Sequence, residues 1–147
     1  MMLIRAELAF IHNALFDPYD QSLWFYHQNL LASFDPSQAS KSIAPALDRS
    51  ERIRYLEKEI DFISEMLEDT QDCKWIYQAL IECKLLMGQI QGSLSSSDQF
   101  IMKDWLNRLK SLDQLRQGRW EDLEARLNAS FGSVLPTKAL SGETVEE

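Results

Sequence analysis

Three of the four tryptophans in this 147-residue chain follow an aspartate at a nearly constant distance. Asp17 precedes Trp24 by seven residues, Asp113 precedes Trp120 by seven, and Asp69 precedes Trp75 by six. The tryptophans themselves stand 51 and 45 residues apart. Self-similarity at such periods marks helical repeat arrays, in which each unit buries its apolar face only against its neighbours. An indole buries roughly 150–250 Å², enough to fill the gap between one helical hairpin and the next. A carboxylate near a helix start can accept from the unpaired N–H groups there. The spacing therefore predicts Asp17, Asp69 and Asp113 near turns, accepting at the starts of helices whose first turns carry Trp24, Trp75 and Trp120.

Hydrophobic periodicity supplies the helices themselves. Ile4, Leu8, Ile11 and Leu15 recur at helical spacing until Asp17-Pro18, where the residue before proline avoids the helical region. Asp20 is a cap for a second helix reaching about Phe34, with Trp24, His27, Leu31 and Phe34 on one stripe. A link over 35–49 leads to a third helix from Asp48 or Ser50, with Ile53, Leu56, Ile60, Ile63 and Leu67 on its stripe. A fourth helix runs from about Asp72 to Met87 and is expected to end at Gly88 and Gly92. Ser96 with Gln99 fits a capping box for a fifth helix to Leu112, whose stripe reads Ile101, Trp105, Leu109 and Leu112. Trp120, Leu123 and Leu127 define a sixth helix, and from Asn128 onward the period is lost. No segment alternates with period two, so no sheet is expected. The prediction is an all-α fold of three antiparallel hairpins over about 3–34, 50–88 and 98–127, stacked as an α-solenoid. Residues 1–129 form the repeat domain and 130–147 a disordered tail.

Charge narrows the function classes. The net charge of −8 argues against a general nucleic-acid binder, which needs clustered lysine and arginine, and disfavours adhesion to anionic lipid. No run approaches the ~20 apolar residues that span a bilayer, no secretory signal opens the chain, and the end carries no prenylation cysteine. These features predict a cytoplasmic protein with no stable membrane insertion. Cys73 and Cys83 match no zinc or redox spacing and read as buried thiols in a reducing compartment.

The most specific stretch is residues 7–31, which begins Glu7-Leu8, carries Asp17-Pro18 in the turn, and continues Asp20-Gln21-Ser22-Leu23-Trp24-Phe25-Tyr26-His27. It resembles the protein prenyltransferase α-subunit repeat, in which a basic residue follows the tryptophan by three positions. That residue is usually arginine. His27 stands there, as in a late repeat of the branch that geranylgeranylates Rab proteins, the type II enzymes. The segments Asp72–Tyr77 and Trp105–Leu127 look like the two following, more degenerate units. The resemblance implies a right-handed α-α superhelix wrapped on a catalytic β subunit that holds the zinc and the isoprenoid pocket. It implies no catalytic, cofactor-binding or metal residue in this chain. Asp17, Pro18, Trp24, His27, Asp69, Trp75, Asp113 and Trp120 are then structural repeat positions.

The polar groups that α subunits contribute come from earlier repeats, in a Lys-Asn-Tyr context before the tryptophan that is absent here. The resemblance is thus to the C-terminal part of a subunit. Its enzyme moves geranylgeranyl from geranylgeranyl diphosphate to C-terminal cysteines of Rab proteins presented by an escort protein. Two alternatives remain. One is a non-enzymatic helical-repeat adaptor; the other is the α subunit of farnesyltransferase and type I geranylgeranyltransferase.

The remaining polar residues read more plainly. His27 shares a stripe with Trp24 and Leu31, which favours a packed, hydrogen-bonded imidazole over a substrate contact. His12 has no partner that the sequence identifies. Glu57, Glu59, Asp61, Glu65, Glu68 and Asp69 read as a solvated acidic face. Arg108, Lys110, Arg116 and Arg119 cluster around the start of the sixth helix.

Overall fold

The computed structural model describes residues 2–15, 18–35 and 47–134. Among these there are six α-helices and no strand: α1 (Met2–Ala14), α2 (Gln21–Leu31), α3 (Arg49–Met66), α4 (Lys74–Gln91), α5 (Ser96–Leu112) and α6 (Gln117–Val134). Short 3-10 turns, Ala32–Phe34 and Gln114–Arg116, extend α2 and introduce α6. The all-helical expectation holds for every described element. Asp17, the link 36–46 and the residues from 135 on lie outside the described residues.

Consecutive helices pair antiparallel. Tyr26 of α2 donates to Glu7 of α1. Arg49 at the start of α3 reaches the carbonyl of Ile90 at the end of α4. Lys110 meets Glu124 across α5 and α6, while Lys103 lies over Phe131. Alternate helices instead run side by side in one direction. Arg5 and His12 of α1 meet Tyr55 and Glu59 of α3. Phe25 of α2 packs on Trp75 of α4, and Glu82 of α4 bonds Arg126 of α6.

α4 is the keystone of this arrangement, because it packs against α2, α3, α5 and α6. A helix with so many neighbours must be apolar nearly all round. Trp75, Ile76, Ala79, Leu80 and Cys83 face a core shared with α1, α2 and α3. Tyr77 and Ile81 face a second core with α5 and α6. Ile4, Leu8, Ile11 and Leu15 of α1 all point into the first core, as their spacing predicts.

Several boundaries differ from the sequence expectation, each for a local reason. Asp48 and Glu51 close a reciprocal capping box at the start of α3. The cap of α5 is Ser95, which accepts from the Asp98 N–H, one residue before the Ser96 expected; Gln99 donates to the Leu94 carbonyl instead of closing a box. Gly88 does not end α4. It is buried inside the helix, where an added Cβ would lie 2.6 Å from Leu94 Cγ. Gly92 is the true stop, with φ of 86° that suits glycine. The connection from α4 to α5 is then only 92–95, no longer than a turn within a hairpin. α6 continues past Leu127 to Val134 because Phe131 carries the apolar stripe one turn further into the second core. In α5 the buried stripe is Met102, Leu106 and Leu109, and both Ile101 and Leu112 are exposed.

Candidate functional site

Of the eight predicted repeat positions, seven are described. Trp24, Trp75 and Trp120 are all buried near the starts of α2, α4 and α6. Two of the indoles do the same thing locally. Trp24 Nε1 donates to the Pro18 carbonyl at 2.6 Å, and Trp120 Nε1 donates to the Asp113 carbonyl at 3.1 Å. Each bond returns the ring to the turn that precedes its helix and satisfies a donor that burial would otherwise strand. Pro18 also accepts from the Cys73 thiol at 3.1 Å, which ties the first turn to the start of α4. Trp75 is held differently. Its ring meets Phe25, and the cations of Lys74, Arg116 and Arg119 lie within 6 Å of its centroid.

Neither Asp69 nor Asp113 caps these helices with its side chain. Asp20 caps α2, accepting from the Ser22 N–H, while α4 begins at Cys73 with no side-chain cap bond. Asp69 is exposed in the turn after α3. Asp113 is buried and bonds Arg116 at 3.1 Å and Lys74 at 3.4 Å. Burial pushes its carboxyl up, but the bonds from Arg116 and Lys74 outweigh this and hold it below the ordinary range. Asp113 therefore joins α4 to the turn before α6 rather than capping a helix.

The most concentrated polar chemistry lies between α1, α2 and α3. Glu59, taken from sequence as part of a solvated acidic face, is 2% exposed. His12 Nε2 lies 2.6 Å from one carboxylate oxygen and His27 Nε2 lies 2.9 Å from the other. Burial raises the carboxyl pKa, and the His12 and then His27 bonds reverse that to a net lowering. His27 is 1% exposed and sits edge-on to Trp24, 5.6 Å away. His12 stacks on Phe62 at 3.9 Å. His27 is thus packed and hydrogen-bonded, as its stripe predicts, and His12 gains the partner that sequence did not identify. One carboxylate fastens three helices together.

Reactive chemistry is not assembled here. Burial pushes both the Cys73 and the Cys83 thiols up, so neither is primed as a nucleophile. Among the described residues no group of three or more His, Cys, Asp or Glu side chains could hold a metal ion. A narrow apolar groove runs between α2 and α4 past Trp24, Phe25, Trp75 and Ala79. No described helix is long and apolar enough to cross a membrane.

No family model matches the chain, and no solved structure matches it. Two curated relatives do. The chain is 29% identical over 130 residues to the geranylgeranyl transferase type-2 subunit alpha of Schizosaccharomyces pombe, an alignment covering 86% of this chain and 37% of that one. It is 27% identical over 126 residues to the subunit of the same name from Dictyostelium discoideum, covering 84% and 35%. The chain spans little more than a third of the length of these relatives. Over most of its own length, then, this all-helical chain is similar to part of two curated geranylgeranyl transferase type-2 α subunits.

Proposed function

We propose that this chain is scaffold from the α subunit of a type II protein geranylgeranyltransferase and that it docks on a catalytic β subunit. The likeness to two α subunits over most of the chain carries the reading. The packing of α1 on α2, α3 on α4 and α5 on α6, with α4 also against α2 and α6, supports it, because adjoining hairpins are the units of an α-α superhelix. The chain would contribute shape and contact surface rather than a reacting group, since its thiols are buried and its central carboxylate is committed to two imidazoles. The zinc and the isoprenoid pocket would belong to the β subunit. The assembled enzyme would join a Rab C-terminal cysteine sulfur to the geranylgeranyl carbon as diphosphate leaves, with the Rab held by its escort protein in the cytoplasm.

Co-expression with a type II β subunit tests this. The reading expects the two chains to co-purify at equal stoichiometry. A chain that stays behind while the β subunit elutes alone would overturn it and favour the adaptor alternative. If a complex forms, a Rab acceptor with its escort protein and a CaaX peptide distinguish type II from the farnesyl and type I enzymes.

A further inference from the structure

A second feature is independent of the transferase reading. α1 and α3 border a cleft of about 270 Å³ whose rim carries Arg5, Arg54 and Lys58. The chain as a whole is strongly acidic, so three cations around one small opening run against its general charge. Among the described residues, none of the three forms an ion pair with a carboxylate within 4 Å. Tyr55 stands beside them and accepts from Arg5 Nε at 3.1 Å, so its hydroxyl retains a proton of its own to donate. Leu8 and Ala9 form an apolar side.

The one carboxylate lining the cleft offsets part of this charge and leaves three cations against one anion. Glu59 lines its inner end, but each carboxylate oxygen is already taken by an imidazole. His12 is turned onto Glu59 and stacked on Phe62, so it serves as a wall. The lining therefore sets two guanidiniums and an ammonium, with the Tyr55 phenol, against the single Glu59 carboxylate. We propose that this cleft binds a phosphoryl group. A phosphate ester carries about −1.5 to −2 charge and three acceptor oxygens, which matches three cations better than a single carboxylate does. The opening lies just below the roughly 300–1,000 Å³ of sites for drug-sized ligands, which leaves ample room for a phosphoryl group.

The test is an NMR titration of the 147-residue chain at constant ionic strength. The probes are inorganic phosphate and O-phosphoserine, with chloride as control. The Arg5 and Arg54 Nε–H signals should shift saturably with a phosphate probe and not with chloride. Arg54→Gln and Lys58→Gln, both at exposed positions, should each weaken binding about tenfold, as expected for one lost charge-assisted hydrogen bond. Arg54→Lys should recover part of the loss. Tighter binding of O-phosphoserine than of inorganic phosphate would support the site and name a phosphorylated protein segment as its source. Equal binding would support the site for free phosphate. Shifts that match the chloride control, or affinities unchanged in Arg54→Gln and Lys58→Gln with intact far-UV circular dichroism, would overturn it.

Discussion

Replacing Glu59 is expected to be among the most damaging single changes in this chain. The carboxylate is 2% exposed and accepts from His12 at 2.6 Å and His27 at 2.9 Å, so it carries bonds from α1 and α2 onto α3. Removing one partner of a buried, hydrogen-bonded charge cluster costs about 3–5 kcal/mol, which is the expectation for Glu59→Ala. A domain of this size is stable by only about 5–15 kcal/mol, so that is a large fraction of the total. Glu59→Gln is the sharper probe because it keeps the volume. Its amide oxygen still serves one imidazole, but its NH₂ group faces the other and the charge assistance is gone, so a loss of about 1.5–3 kcal/mol is expected. Urea unfolding followed by tryptophan fluorescence and far-UV circular dichroism measures both.

The pH dependence gives a second reading of the same interaction. The folded pKa of Glu59 lies below its ordinary value of 4.5. Its stabilisation is therefore complete above the unfolded value and is lost as pH falls through the folded one. The gap between wild type and Glu59→Gln should be full at neutral pH and should close in acid. Identical urea midpoints at neutral pH, or a gap that persists unchanged to about pH 3, would refute the reasoning.

Two smaller changes test individual devices. Gly88→Ala gains about 1 kcal/mol of helix propensity but drives a methyl into Leu94, so thermal unfolding should show a net loss of about 1–2 kcal/mol, near 4 °C in Tm; a higher Tm would mean that Leu94 moves freely aside. Asp48→Ala breaks the capping box of α3 and should lower the urea midpoint, while Ser50→Ala nearby should lower it less.

The helices were legible because their signals are local. Stripes such as Ile4, Leu8, Ile11 and Leu15 and the caps at Asp20 and Asp48 announce themselves within a few residues. The buried cluster was not, because Glu59 lies 47 residues from His12 and 32 from His27. Its position was nonetheless informative. Glu57, Asp61 and Glu65 share one exposed helix face, whereas Glu59 falls beside Leu56, Ile60 and Ile63 on the buried one. Counting acids along α3 hid that difference; placing each on the helical wheel reveals it. Gly88 was misread for a related reason. Glycine signals a helix end when φ must be positive, but here it makes room for Leu94 from outside the helix. Asp113 was read as a cap because proximity to a helix start is visible in sequence, whereas Lys74, its partner from α4, is not.

The packing of the hairpins leans on the indoles of Trp24 and Trp120, which close α2 and α6 onto their preceding turns. Hydrogen exchange of the four tryptophan indole N–H groups, resolved by NMR, measures this directly. The bonds to the Pro18 and Asp113 carbonyls predict that Trp24 and Trp120 exchange orders of magnitude more slowly than a free indole, at rates set by opening of the fold. Exchange of either one at the rate of an unprotected indole under native conditions would contradict the account.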